Sequence, residues 1–167
     1  EINYLKEIEL SYNTITSKGF SMLVNSLLES KNNNIIKINV SGNKLDDDCI
    51  ESFGELIQNN QIFKNIDISN NNITDKGIEI LLPYLIGNIT IKYLGISYNK
   101  GITDKSIPLL KEIIHKSSIE KININDTSIT EEEREEIEFA LSIPIDKREI
   151  PLITIGNVKS ASKIMNE

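Results

Sequence analysis

Hydrophobic and polar positions along this chain follow one phrase that returns at a near-constant interval. In Ile66-Asp67-Ile68-Ser69-Asn70-Asn71-Asn72-Ile73-Thr74-Asp75-Lys76-Gly77, apolar and polar residues alternate, a polar turn follows, and a helix opens. Aligned on the turn residue, the copies fall at Asn13, Asn43, Asn71, Asn99 and Thr127; the first step is 30 residues and the others are 28. Apolar side chains lie eight, five and three positions before each turn: Leu5/Ile8/Leu10, Ile35/Ile38/Val40, Phe63/Ile66/Ile68, Ile91/Leu94/Ile96 and Ile119/Ile122/Ile124. Alternation of this kind predicts a strand with one buried face. Beyond the turn the period becomes helical. Phe20/Leu23/Leu27, Ile50/Phe53/Ile57, Ile78/Leu81/Leu85 and Ile107/Leu110/Ile114 each form a stripe that packs behind the strand of its own copy. Thr16, Asp46, Thr74, Thr103 and Thr130 are the expected helix N-caps. Asn32, Asn33, Asn34, Asn59, Asn60 and Asn88 are expected to close helices in the left-handed conformation. Pro108 fits a helix that starts near Ser106, and Pro83 is expected to end or bend its helix early.

A period in this range marks a solenoid. No single strand-turn-helix buries its apolar face, so copies must stack. The turn amides of Asn13, Asn43, Asn71 and Asn99 can then bond backbone of the adjoining coil, forming a structural ladder. Losing one rung would strand buried backbone groups at ~1–3 kcal/mol. Two departures stand out. Asn99-Lys100-Gly101-Ile102 carries an extra residue, expected to bulge and loosen that turn, and Thr127 replaces the last Asn, where the ladder runs out.

The spacing L-x-x-L-x-L-x-x-N-x-L with a helix outside resembles the leucine-rich repeats of the ribonuclease-inhibitor type over roughly residues 2–142. That resemblance implies an α/β fold: a right-handed leucine-rich-repeat solenoid with a short parallel β-sheet on the concave face and helices on the convex face. Right-handed crossovers are the rule for parallel strands. Five repeats span 1–142, and 143–167 is expected to form a C-terminal cap, a degenerate sixth coil, and a tail. Ile150, Ile153, Ile155 and Val158 imitate the strand spacing there, although Pro151 interrupts it, and Ala161, Ile164 and Met165 suit a short helix. The preceding helix over 131–141 is crowded with Glu, and Arg134 takes the inward slot held by Phe20, Ile50, Ile78 and Ile107; it is read as the start of the cap. Because the first strand starts near Glu1 with no polar cap before it, the chain is expected to be a piece of a longer protein.

With 167 residues, 39% of them hydrophobic, the chain can bury one core. A net charge of −7 disfavours nucleic acid and anionic membrane surfaces as partners. Apolar runs fall far short of the ~20 residues of a membrane span. Cys49 is the sole cysteine, which excludes an internal disulfide; it occupies the slot of Gly19 and Gly77 and is expected to be small and buried rather than reactive. Sequons at Asn39, Asn72, Asn88 and Asn125 are about as many as so Asn-rich a chain carries by chance. A cytoplasmic monomer is expected, since extracellular repeats of this class tend to be shorter and Cys-stapled.

Catalytic, cofactor and metal residues are not expected. His115 is the only histidine, so no zinc site or Cys/His or Ser/His/Asp constellation can be assembled, and no Gly-rich phosphate loop occurs. Asp46, Asp47 and Asp48 complement a helix dipole and lack the alternation and Gly of a calcium loop. The expected function is therefore a protein-binding scaffold whose unidentified protein partner lies on the concave face. The alternation exposes three columns there: Glu7/Lys37/Asn65/Tyr93/Lys121, Glu9/Asn39/Asp67/Gly95/Asn123, and Ser11/Ser41/Ser69/Ser97/Asn125. The first two columns, Gly95 aside, are the candidate binding residues, with Tyr93 as anchor and Gly95 leaving room for a partner group; the alternative is that Tyr93 covers the bulge after Asn99. The resemblance also extends to the tropomodulin repeat domain, similar in size, which implies an actin or cytoskeleton regulator as a second reading. A GTPase regulator is the third. Ran GTPase-activating protein shares the repeat and uses an arginine from an early repeat, whereas Arg134 and Arg148 lie at the far end here.

Overall fold

The computed structural model describes residues 5–30 and 34–151. Five strands, β1 (Glu7–Glu9), β2 (Lys37–Asn39), β3 (Asn65–Asp67), β4 (Tyr93–Gly95) and β5 (Lys121–Asn123), form one sheet in chain order, every pair parallel. The register pairs identical phases of the repeat, so Ile8, Ile38, Ile66, Leu94 and Ile122 form one row. Their burial against the helices is what fixes that register, because a slip of one residue would turn the whole row to water. Ile38, Ile66 and Leu94 are fully enclosed, whereas Leu5 at the N-terminal end is 43% exposed and Leu10 is half-buried.

Behind the sheet stand α1 (Ser17–Glu29), α2 (Ile50–Asn59), α3 (Asp75–Leu85), α4 (Ile107–His115) and α5 (Glu131–Ser142). Their inward stripes meet the strand rows in one continuous core. In α1 it is Val24, not Leu23, that lies fully inside beside Phe20 and Leu27. Thr16, Asp46, Thr74 and Thr103 cap helices or the short 3-10 turns Asp47–Cys49 and Asp104–Ser106 that lead into α2 and α4. The Thr130 side chain caps nothing in its own helix and turns to the neighbouring coil instead. Pro108 is the second residue of α4, where a missing amide costs little, and Pro83 lies in the last turn of α3, which ends two residues later.

The left-handed residues are not the helix-closing asparagines. Asn60 is extended (φ −114°), and after α3 the left-handed position is Gly87 (φ 75°) rather than Asn88. Positive φ recurs one position before each ladder residue, at Tyr12 (54°), Gly42 (66°), Asn70 (52°), Tyr98 (57°) and Asp126 (55°). Asn60 is the C-cap of α2, and Asn88 lies three residues past the end of α3; both organise the loop that leads to the next strand. The Asn60 Oδ1 accepts the amides of Ile62 (2.9 Å) and Phe63 (3.1 Å) while its Nδ2 donates to the Ile35 carbonyl (3.0 Å). The Asn88 Oδ1 accepts those of Thr90 (3.0 Å) and Ile91 (2.8 Å). Asn32 and Asn33 lie outside the described residues.

At the C-terminal end two arginines close the main chain. Arg134 donates to the carbonyls of Ile124 (3.1 Å) and Ile129 (3.2 Å). Arg148, just after the 3-10 turn Ile145–Lys147, reaches the carbonyls of Ile119 (2.5 Å), Ile143 (3.0 Å), Ile114 (3.2 Å) and Leu141 (3.2 Å). Ile150 is half-buried; Ile153, Ile155, Val158 and the tail through Met165 lie outside the described residues.

Candidate functional site

Two sets of side chains bind coil to coil and so hold the outer sheet face in shape. In the first, the Oδ1 atoms of Asn43, Asn71 and Asn99 accept the amides of Ile15, Leu45 and Ile73 in the preceding coil, each at 3.0 Å. Their Nδ2 groups donate back to the carbonyls of Leu10, Val40 and Ile68 as well as to their own turns. Among the described residues Asn13 bonds its own turn alone, donating to Leu10 and Ser11, and it is exposed. At Thr127 the hydroxyl stays within its coil, on the Ile124 carbonyl (2.8 Å). The extra residue near Asn99 does not loosen this clamp. Asn99 is fully buried with the complete set of bonds, because Lys100 loops outward and Gly101 rejoins the ladder opposite Thr74. A Cβ on Gly101 would lie 2.6 Å from Thr74 Cγ2, so the detour depends on glycine.

The second set escaped the sequence reading. Asp47 accepts the Thr74 amide (2.9 Å) and hydroxyl (2.6 Å); Asp75 accepts the Thr103 amide (2.8 Å) and hydroxyl (2.7 Å) and the Ser106 hydroxyl (2.5 Å). Asp104 accepts the Thr130 amide (2.8 Å), and Ser17 and Asp46 bond each other at the N-terminal end. Asp47 is thus an inter-coil clamp, not merely a complement to a helix dipole. The available signal was Asp recurring one place after the cap in coils two to four, with Thr as the next coil's cap. Burial acts to raise the Asp75 carboxyl, but hydrogen bonds from Ser106 and Thr103 outweigh it and hold the group below its ordinary range.

On the outer sheet face the three columns divide by task. The middle column serves the fold: Glu9, Asn39, Asp67 and Asn123 each accept the amide two residues on, from Ser11 (3.2 Å), Ser41 (3.0 Å), Ser69 (3.0 Å) and Asn125 (3.2 Å). Asn39 also donates to Glu9 (2.9 Å) and Asn123 to the Ser97 hydroxyl (3.3 Å). Hydrogen bonding from Ser11, opposed by slight burial and joined by Asn39 and the Lys37 charge, lowers the Glu9 carboxyl. Ser41, Ser69 and Ser97 are buried between coils. Gly95 breaks the middle column, and the space it leaves is already taken. A Cβ there would lie 2.6 Å from the Asp67 carboxylate and 3.0 Å from the Tyr93 hydroxyl, so the phenol folds over Gly95 and not over the bulge. Burial and the Asp67 charge push that phenol upward, against a hydrogen bond with Asn123. The remaining column, Glu7, Lys37, Asn65, Tyr93 and Lys121, is exposed or half-buried, with charge at its ends, and Lys37 Nζ lies 4.0 Å from the Glu9 carboxylate.

Cys49 is fully buried and unpaired, and burial pushes its thiol up to about 11. Among the described residues no three His, Cys, Asp or Glu side chains converge in a way that would hold a metal, and no helix is long and apolar enough to cross a membrane.

The family described as "Leucine Rich repeat" matches residues 2–24 and 59–81. None of the curated protein sequences matches this one. A solved structure titled "Leiomodin-1 Actin-Binding Site 2 (ABS2)" superposes with a TM-score of 0.69 at 19% identity, covering 84% of this chain and 81% of that one. At that identity the likeness is one of fold.

Proposed function

This chain is a leucine-rich repeat protein, and from that premise we propose that it is a non-catalytic scaffold that binds a protein partner through the concave sheet face. We read its long period, with a full helix in each coil, as that of the ribonuclease-inhibitor type. The observation that carries the proposal is the division of labour among the columns. The middle and inner ones are consumed in holding the coils, whereas Glu7, Lys37, Asn65, Tyr93 and Lys121 stand in register along the outer face, exposed or half-buried, with Lys37 and Tyr93 leaning on the middle column through Glu9 and Asn123. A row of fixed, mixed charges around one aromatic residue suits recognition by charge complementarity about a central anchor. Glu9, Asn39, Asp67 and Asn123 then act as edge contacts whose carboxylates and amides are already oriented.

The second reading is an actin or cytoskeleton regulator, favoured by the extent over which the leiomodin-1 structure superposes. A GTPase regulator is disfavoured because Arg134 and Arg148 are both spent on backbone carbonyls. A cytoplasmic monomer fits the unpaired Cys49 and the engagement of the Asn39 sequon nitrogen in an internal hydrogen bond to Glu9. Co-sedimentation with filamentous actin, using the wild type and a Lys37→Glu/Lys121→Glu variant, tests the second reading. Sedimentation that the variant loses supports it. Absence of the wild type from the pellet removes actin and leaves the general scaffold reading to stand on its own test.

A further inference from the structure

The first half of α5, from Glu131 to Glu136, contains no apolar residue, and the two side chains the helix buries, Ile137 and Ala140, lie in its second half. In the earlier coils the inward slot is filled by Phe20, Ile50, Ile78 and Ile107, whereas Arg134 occupies it here and turns to the carbonyls of Ile124 and Ile129. Nothing apolar therefore seals this half of α5 to α4. A groove of about 500 Å³ is left between them, within the ~300–1,000 Å³ usual for ligand clefts.

The groove combines apolar surface, from Ile107 and Pro108, with carboxylates from both sides: Asp104 and Glu112 from the coil of α4, Glu133 and Glu136 from α5. Asp104 is engaged by the Thr130 amide (2.8 Å) and Glu112 by Lys116 (2.8 Å). Glu136 holds the ammonium of Lys111, which reaches across from α4. Glu133 is half-buried, yet it has no ion pair or hydrogen bond among the described residues. Partial burial of a charge is unfavourable until an opposite charge compensates it. Lys111 shows the kind of side chain that suits this surface, an aliphatic stem ending in a cation on an α5 carboxylate. Arginine meets the same demand more fully. Its methylene stem covers apolar surface, and its planar head carries five donors, enough to bond two carboxylates at once.

We propose that the groove between α4 and α5 is a docking site for an arginine-bearing basic segment of a protein partner, separate from the concave face and anchored on Glu133 and Glu136. The probe is tetra-arginine, titrated into the full chain while the ring signals of His115, the sole histidine and a lining residue, are followed by NMR. Saturable shifts support the site if binding weakens at least tenfold in Glu133→Gln/Glu136→Gln and measurably in Glu133→Gln alone, which breaks no bond of the native chain. The charge-matched Glu132→Gln/Glu138→Gln, at exposed positions of the same helix outside the groove, keeps wild-type affinity. The replaced side chains are exposed or half-buried, and an unchanged urea midpoint shows that each variant folds. An unmoved His115 overturns the proposal. So does an equal loss in the two double variants, which would mean diffuse attraction to the acidic helix, and so does equal affinity for free arginine, which would mean a small-molecule site. Glu7→Lys leaves the binding unchanged; a loss there would place the peptide on the concave face instead, so failure of this site is distinguishable from failure of the concave-face reading.

Discussion

Replacing Asn99 with alanine should be among the most damaging polar truncations in this chain. Its side chain accepts the Ile73 amide (3.0 Å) and donates to the carbonyls of Ile68 (3.1 Å), Ile96 (3.0 Å) and Ser97 (3.3 Å), all in a fully buried position. Alanine leaves the Ile73 amide and the Ile68 carbonyl without this partner across the coil interface, where water does not reach. At roughly 1–3 kcal/mol for each of the two stranded groups, the loss is about 2–6 kcal/mol. That is a large share of the ~5–15 kcal/mol that holds a typical domain together. Urea denaturation followed by circular dichroism should show the midpoint falling by about 1–3 M, at a slope of roughly 2 kcal/mol per M that stays unchanged. Asn71→Ala, with the same bonds to Leu45, Val40, Ile68 and Ser69, should cost as much. Asn13→Ala touches only its own exposed turn and should stay within ~0.5 kcal/mol of the wild type. If Asn99→Ala shifts the midpoint no more than Asn13→Ala does, the inter-coil clamp does not stabilise the fold.

The Asp75 clamp carries a pH signature: because its folded carboxyl is depressed below 3.8, its contribution is fully present above the ordinary Asp range and is lost as pH falls through the lower folded value. Asp75→Asn, which cannot titrate, should therefore be less stable than wild type near neutrality, and urea midpoints measured across acid pH should show that gap closing; a gap constant with pH would refute the assignment. Cys49, with its thiol raised to about 11 and fully buried, should resist a thiol reagent in the native protein and react once urea unfolds it; rapid native labelling would show that the coil opens.

The period was readable because each coil repeats the same burial problem, so Ile8, Ile38, Ile66, Leu94 and Ile122 had to be equivalent. Polar roles were harder to read, because one residue type serves several geometries. Asn60 and Asn88 do lie where helices end, but not in the left-handed conformation, since an amide oxygen can gather two amides ahead of it as readily as it can favour a left-handed turn. The effect of Lys100 and Gly101 depended on which way one extra residue is expelled, a question of close approach to Thr74 that spacing does not encode. On the concave face, alternation placed Tyr93 and Gly95 on one side, but whether the gap above Gly95 awaited a partner or the neighbouring phenol was decided by packing. The left-handed tyrosines were invisible for a similar reason: nothing in the alternation distinguishes an exposed turn residue from a strained one.

The central claim, that the concave row carries partner recognition, is tested most directly by comparing two baits. Full-length protein in wild-type form and with Glu7→Lys, Lys37→Glu and Lys121→Glu together should be matched for fold by circular dichroism and urea midpoint, then used to capture proteins quantitatively from the same extract. All three side chains lie on the outer sheet face, exposed or half-buried, so the fold should be unaffected. The account predicts that specific partners held by the wild type fall at least tenfold with the variant. Equal recovery of the same proteins by both baits would contradict it and move recognition off the concave face.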